Sequence, residues 1–207
     1  MNKFDNLLIN KDLPFGATEL SPDDLEGLIP SYITTRNDLN EFEKTNITNA
    51  ISWLRRKNLK YQFLLTMELF FELHSKMFDK TWTWAGTLRQ NPVNIGNTPI
   101  DQIQIRVKNV LDNVRYWIEQ KSFVVDEICI RFHHQIVWIH PFSNGNGRFS
   151  RIICDELRRS LGGESFTWGN SADNLISSSH GRTDYMAALR TADKKDYSRL
   201  IAFAKSK

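Results

Sequence analysis

The stretch HPFSNGNGRFSR, residues 140–151, decides what kind of protein this sequence forms. Helical patterns flank it, and Pro141 ends the first of them because proline cannot extend the hydrogen-bond ladder of a helix. Gly145 and Gly147 then allow backbone N–H groups to turn inward and approach a ligand closely. A second helical pattern begins around Asn146. The stretch therefore predicts a glycine-rich loop that opens into a helix N-terminus, which favours the binding of an anion.

Three side chains of this stretch carry charge or can titrate. Arg148 and Arg151 are three residues apart, so they share one face of the second helix, and guanidinium groups match phosphate oxygens well. His140 can take a proton from an attacking hydroxyl, since an unperturbed histidine titrates at about pH 6.5. Each feature has an ordinary alternative, namely a simple turn, a histidine that caps a helix and arginines that face solvent. Their occurrence together favours a polyphosphate site with a general base at its edge.

The composition of the 207-residue chain restricts the class of protein. Hydrophobic residues make up 41% and charged residues 25%, which suits one globular domain with a buried core. The net charge is only +3, and basic residues alternate with acids, so direct nucleic-acid binding is not predicted. We expect no signal peptide and no membrane span, and hence a soluble cytoplasmic protein. Cys129 and Cys154 fall in apolar helical patterns and are expected to be buried thiols.

Proline and glycine divide the chain into an arm and a helical domain. Residues 1–37 hold three prolines and two glycines among short apolar runs, and predict an irregular N-terminal arm. From Asp38, which suits a helix N-cap, apolar residues recur at helical spacing through most of residues 38–207. Residues 89–100 break this pattern with Val, Ile, Asn and Gly, which predicts a β-hairpin. The predicted fold is all-α, a helical bundle with one small β-hairpin flap next to the loop at 140–151.

A known family has a similar loop. The stretch 140–151 resembles the Fic signature HPFx(D/E)GNGRxxR and departs from it only at Asn144. The likeness extends from about residue 40 to the C-terminus, with a domain core at about 60–162. Residues 28–47, LIPSYITTRNDLNEFEKTNI, resemble the N-terminal region of the Fic subgroup called mobile mystery protein B. The resemblance implies the Fic-type helical bundle, in which a flap lies beside the active-site loop.

The resemblance also implies an activity. The chain would be a bacterial protein adenylyltransferase, which moves AMP from ATP to a Ser, Thr or Tyr hydroxyl of a target protein. It could act like a toxin or modify itself. His140 would be the general base, and pyrophosphate would leave. The implied phosphate-binding residues are Gly145, Asn146 and Gly147 for the α- and β-phosphates, Arg148 for the β- or γ-phosphate and Arg151 for the γ-phosphate. Most of the rate enhancement would come from positioning and electrostatics.

Two further implied sites surround the loop. Asn144 stands where the family usually has a carboxylate that holds Mg²⁺, and an amide oxygen binds a hard cation more weakly than a carboxylate does. Activity that depends on ATP and Mg²⁺ is still expected, because the ATP phosphates supply most of the ligands to such an ion. Asn94, Ile95 and Gly96 in the flap would dock the backbone of the target protein as an added strand.

The resemblance also implies a form of regulation. Many Fic proteins are inhibited by a glutamate within the pattern (S/T)xxxE(G/N), and this glutamate pairs with the second arginine of the signature. The strict pattern is absent from this sequence. Glu43, and after it Glu41, lies on the first long predicted helix in the corresponding part of the chain. Glu43 is therefore the candidate inhibitory residue, and the alternative is that both acids face solvent on that helix.

Two alternatives use the same fold. A phosphotransferase would bind its nucleotide in reversed orientation, but such relatives often replace the second glycine of the loop by Lys, and Gly147 is retained. A catalytically impaired interaction module would explain Asn144, whereas the intact His140, Arg148 and Arg151 argue against it. The subgroup resemblance further implies a companion helix-turn-helix protein as a partner, so that any association with DNA would be indirect.

Overall fold

Helices make up nearly all of the regular structure in the computed structural model, which describes residues 17–96, 98–169 and 180–206. In these ranges the chain forms nine α-helices: α1 (Pro22–Glu26), α2 (Arg36–Lys57), α3 (Tyr61–Leu64), α4 (Met67–Phe78), α5 (Ile103–Glu119), α6 (Val125–Ile139), α7 (Asn146–Ser160), α8 (His180–Ala192) and α9 (Ser198–Lys205). A single 3-10 turn, Ile100–Gln102, precedes α5. The predicted all-α class is confirmed. No helix formed by the described residues is both long and apolar enough to cross a membrane.

The helices pack in an order that surrounds the loop between α6 and α7. Helix α2 lies against α4, α5 against α6, α6 against α7, and α8 against α9. Phe70 from α4 and Phe149 from α7 meet Phe142 of the loop, and all three side chains are fully buried. Cys129 and Cys154 are also buried and free, as expected. The glycine-rich loop is therefore attached to the centre of the core.

The described part of the N-terminal arm is more ordered than predicted. Helix α1 forms within it because the Ser21 side chain accepts a hydrogen bond from the Asp24 backbone, while the Asp24 carboxylate accepts one in return. Leu20 and Ile33 are each only 1% exposed, so residues 17–35 are packed against the domain. Residues 1–16 of the predicted arm lie outside the described residues.

The first long helix begins earlier than predicted. The sequence pattern favoured Asp38 as the N-cap, but α2 begins at Arg36 and its N-cap is Thr35. Thr35 Oγ1 accepts a hydrogen bond from the Asp38 backbone N–H, and the Asp38 carboxylate accepts one from the Thr35 N–H. Asp38 is thus the third residue of a capping box and not the cap itself.

The β-hairpin predicted for residues 89–100 is wrong, because the described part of this segment contains no strand. Pro92 has no N–H to donate to a partner strand. The Arg89 side chain, only 3% exposed, instead binds the carbonyl oxygens that a partner strand would use, with Nη2 donating to Thr98 O at 2.6 Å and Nη1 to Asn91 O at 3.1 Å. The flap is an irregular loop closed around a buried guanidinium.

Candidate functional site

The loop between α6 and α7 is held in place by a histidine from α4. The His74 ring stacks on Phe142, with ring centroids 3.6 Å apart. Its Nδ1 accepts a hydrogen bond from the Gly86 N–H at 2.9 Å, so its Nε2 carries the proton and donates to the Asn144 carbonyl at 3.1 Å. Burial lowers the pKa of His74 to about 3, which keeps this ring neutral. His74 thereby fixes both the entry to the flap and the loop between α6 and α7.

Asn146 braces the loop from within. Its side-chain oxygen accepts a hydrogen bond from the Phe142 N–H at 2.9 Å, and its Nδ2 donates to the Phe142 carbonyl at 2.7 Å. The side chain is buried, at 2% exposure, and both ends of its amide are occupied. The contact predicted between Asn146 and phosphate therefore depends on the Asn146 backbone N–H, at the start of α7.

The two loop glycines have different reasons to lack a side chain. Gly145 has a φ of +80°, and a Cβ built on it would lie 2.3 Å from Cζ of the buried Phe78. Both the backbone conformation and the space exclude a larger residue there. A Cβ on Gly147 would meet only Arg151 nitrogens, at 3.8 Å. Gly147 therefore leaves space beside an arginine that a ligand can use.

We expect Gly145→Ala to lower the free energy of unfolding by about 2–5 kcal/mol, since it combines a left-handed alanine with overpacking of the core. Denaturant unfolding of the purified protein measures this change. Gly162→Ala is the matched control, because Gly162 has a similar φ of +86° and a Cβ added there would meet no atom within 4 Å. Gly162→Ala should lower the free energy of unfolding only by the cost of the left-handed backbone conformation, about 1–2 kcal/mol. Equal losses in the two variants would show that the contact with Phe78 has no effect.

His140 ends α6 in the left-handed conformation, with a φ of 53°. Its Nδ1 lies 3.3 Å from the Val137 carbonyl, which can only accept, so Nδ1 carries the proton. Its Nε2 is then the basic atom, and it accepts a hydrogen bond from Thr18 Oγ1 at 3.0 Å. Burial, and then the nearby Arg89 charge, lower the pKa of His140 to about 4. The ring is neutral at neutral pH and has the tautomer that a general base needs.

Arg89 connects this histidine to the flap. Its Nε donates to the His140 carbonyl at 2.8 Å, and its backbone N–H donates to the Pro141 carbonyl at 2.9 Å. Gly96 approaches from the other end of the flap, where an added Cβ would lie 3.0 Å from the His140 Cβ. The predicted docking residues Asn94, Ile95 and Gly96 are therefore next to the predicted base, although they form no strand.

A cavity of about 160 Å³ opens between the loop, α2 and α8, and His140, the loop glycines and four arginines line it. The arginines are Arg36, Arg148, Arg151 and Arg182. Burial lowers the pKa of Arg151, and the Arg148 and Arg182 charges lower it further. Arg151 is 6% exposed, and its Nε is buried without a hydrogen-bond partner. So many guanidinium groups around one cavity favour a ligand with several negative charges.

Two of these arginines were missed by the sequence analysis. Arg182 is three residues before Tyr185, so the two share one face of α8, and this spacing was a usable signal. Tyr185 itself borders the cavity, under the Arg151 guanidinium, and its hydroxyl lies 2.9 Å from His133 Nε2. Arg36 gave no local signal, because it belongs to the first turn of a helix far from the loop in sequence.

Glu43 is completely buried, so the solvent-facing alternative is wrong for this residue and holds only for the exposed Glu41. Its Oε2 lies 2.6 Å from Arg148 Nη1. Its Oε1 accepts hydrogen bonds from Trp82 Nε1 at 2.7 Å and from Asn144 Nδ2 at 3.3 Å. The structure thus places Glu43 on the first arginine of the loop, whereas the resemblance implied a contact with the second.

Asn144 is buried between Glu43 and the loop, and its side-chain amide N–H faces the Glu43 carboxylate. Within residues 17–96, 98–169 and 180–206, no group of three or more His, Cys, Asp or Glu side chains is arranged to hold a metal ion. A metal ion bound at Asn144 therefore stays a prediction.

Comparison with known proteins gives the same fold. Residues 64–157 match the model of the Fic/DOC family. The structure is similar to C. elegans Fic-1, with a TM-score of 0.61 and 19% identity over 77% of this chain and 46% of that chain. It is also similar to the N-terminal Fic domain of Bep8 from Bartonella sp. 1-1C, with a TM-score of 0.63 and 16% identity over 85% of this chain and 88% of that chain. This chain thus spans about half the length of the solved C. elegans chain, which holds residues 134–508 of Fic-1.

A further similar structure is the N-terminal Fic domain of a VirB-translocated Bep effector from Bartonella quintana, which has bound ADP. The TM-score is 0.62, and the identity is 17% over 84% of this chain and 86% of that chain. At such identities the likeness establishes the fold. It agrees with the resemblance that the loop sequence indicated.

Proposed function

We propose that this chain is a Fic-type nucleotidyl transferase that moves AMP from ATP to a hydroxyl group of a protein, and the match of residues 64–157 to the Fic/DOC family model supports this proposal. One observation carries the proposal: the basic Nε2 of His140 lies at the edge of a cavity that four arginines also line. A general base beside a polyanion site suits the attack of a hydroxyl on a phosphorus atom.

Nucleotide binding follows from the charge of the cavity. The N-terminus of α7 presents backbone N–H groups from residues 145–147, and Arg148 and Arg151 follow on the first turns of that helix. Arg36 and Arg182 add two further cations, which can bind the outer phosphates. The similar structures with bound ADP, from Bartonella quintana, and with bound AMPPNP, from Bartonella tribocorum, support a nucleotide as the ligand.

The proposed reaction needs little covalent chemistry from the protein. The hydroxyl oxygen attacks the α-phosphorus in line, its proton moves to His140 Nε2, and the bond from the α-phosphorus to the bridging oxygen breaks. Pyrophosphate leaves with the electron pair of that bond. The arginines and the α7 N-terminus stabilise the charge on the phosphates, so positioning and electrostatics supply most of the rate enhancement.

Magnesium fits this site only as an ion held mainly by the nucleotide. The protein offers the amide oxygen of Asn144 where the family signature has a carboxylate. Such an ion would neutralise charge on the phosphates, and Asn144 would supply one neutral oxygen ligand.

The target protein would dock beside the flap, at Asn94, Ile95 and Gly96, which lie next to His140. ATP as the substrate suits the cytoplasm as the place of action. A helix-turn-helix companion protein remains a further proposed partner.

Glu43 would regulate this reaction. Its carboxylate occupies the Arg148 guanidinium that a phosphate group would otherwise bind. Nucleotide binding in a productive position would therefore require this ion pair to separate. We propose that the described arrangement is the inhibited state.

The experiment that tests the function supplies the purified protein and a bacterial lysate with ATP labelled at either the α- or the γ-phosphate. Wild type and a Glu43→Gln variant are both used, so that inhibition does not hide activity. Label transferred from the α position alone is the expected result. Transfer from the γ position alone would establish a phosphotransferase, and no transfer by either protein would favour the impaired interaction module.

A further inference from the structure

Residues 17 and 18 lie at the mouth of the cavity, and they bring a hydroxyl group to His140. Ala17 and Thr18 line the same cavity as His140 and Arg148. Thr18 Oγ1 lies 3.0 Å from His140 Nε2. Because Nδ1 of this ring carries the proton, the Thr18 hydroxyl donates to the lone pair that would abstract a proton from a substrate.

The backbone on both sides of Thr18 is fixed by the flap. Asn94 Oδ1 accepts a hydrogen bond from the Glu19 N–H at 3.3 Å, and Asn94 Nδ2 donates to the Ala17 carbonyl at 3.2 Å. One amide side chain therefore binds the peptide groups before and after the threonine. The threonine is thereby held at a fixed position beside the flap.

Two other contacts fix the position of the segment. The Thr18 carbonyl accepts a hydrogen bond from Arg36 Nη2 at 3.1 Å. Leu20, at 1% exposure, is part of the buried core. The segment is thus attached at four successive residues, and Thr18 is the one whose side chain faces the base.

The Tyr185 hydroxyl, which also borders the cavity, is engaged elsewhere, 2.9 Å from His133 Nε2. Among the described residues, Thr18 provides the hydroxyl that hydrogen-bonds to the His140 ring.

We propose that Thr18 is the acceptor of an intramolecular AMP transfer, so that the chain modifies itself at this position. The proposal rests on the function proposed above and names an acceptor for it. Thr18 Oγ forms a bond to the α-phosphorus of ATP, and its proton moves to His140 Nε2. The bond from the α-phosphorus to the bridging oxygen breaks, and pyrophosphate leaves. The product is a phosphodiester of AMP on Thr18, with one AMP per chain.

The test uses the full chain, as wild type and in the Glu43→Gln background, with α-labelled ATP, both alone and in the presence of a bacterial lysate. Intact mass and peptide mapping locate the AMP group. Thr18→Val removes the hydroxyl at nearly constant volume, and Thr18→Ser restores it. Thr34→Val is the matched control, since Thr34 is an exposed threonine in the same part of the chain. A dilution series separates the intramolecular reaction, whose rate constant does not depend on protein concentration, from transfer between molecules.

The expected result is one AMP on the peptide that contains Thr18, lost in Thr18→Val and retained in both Thr18→Ser and Thr34→Val. AMP on another residue, or transfer to lysate proteins with none on the chain, would overturn the assignment of Thr18 and leave the proposed function standing. A rate constant that rises with protein concentration would overturn the intramolecular reaction. No α-label on any protein, with either background, would overturn the proposed function and this inference together.

Discussion

Replacing His140 by alanine is expected to lower kcat/KM for AMP transfer by about 10²–10⁴-fold, the usual contribution of a general base. His140 Nε2 is the basic atom at the edge of the cavity, and without it no described side chain is in position to take the proton of the Thr18 hydroxyl or of a target that replaces it. The measurement is the initial rate of α-label incorporation. ATP binding should persist, because the arginines and the α7 N-terminus are unchanged.

His134→Ala is the matched control for this variant. His134 is also a buried histidine of α6, but its Nε2 pairs with Asp193 at 2.9 Å, away from the loop. This variant should therefore retain the activity. A His140→Ala protein that is folded and fully active would rule out the histidine as the base.

The pKa of His140 predicts how kcat/KM falls at acid pH. Burial lowers the pKa of His140 to about 4, so the unprotonated, active form is present above that pH and is lost as the pH falls through it. The acid limb of kcat/KM, which reports the free protein, should lie near 4 and well below the ordinary 6.5 of histidine. A limb near 6.5 would show that His140 is solvated in the active protein.

Replacing Glu43 by glutamine is expected to strengthen ATP binding by about 10- to 100-fold and to raise the rate of AMP transfer. A hydrogen bond between charged groups contributes about 1.5–3 kcal/mol, which the phosphates would otherwise have to displace at Arg148. The glutamine oxygen can still accept from Trp82 Nε1, so the packing of α2 on the loop is preserved. Titration with ATP and the rate of α-label incorporation measure the two effects.

Glu41→Gln is the control for the loss of one negative charge, because Glu41 lies two residues earlier on the same helix and is exposed. It should leave ATP affinity unchanged. If both variants bound ATP as wild type does, the ion pair between Glu43 and Arg148 would not limit nucleotide binding.

The sequence predicted the parts of the site that depend on neighbours along the chain. Pro141 and Gly145 set the loop between two helices, and spacing placed Arg148 and Arg151 on one helical face. The hairpin prediction was wrong because the residue types of the flap give no sign that the carbonyls of Asn91 and Thr98 are bound by the Arg89 side chain.

The helical class and the loop that carries His140, Arg148 and Arg151 could be predicted from the sequence, because they follow from backbone conformation and helical spacing. The residues that contact His140 and Arg148 depend on how distant segments pack. Glu43 reaches Arg148 across 105 residues of sequence, and Thr18 reaches His140 across 122. Such pairs have no local signature, because they exist only when α2 packs on α4 and the arm packs on the flap. The positions of the Glu43 carboxylate and the Thr18 hydroxyl are therefore consequences of packing.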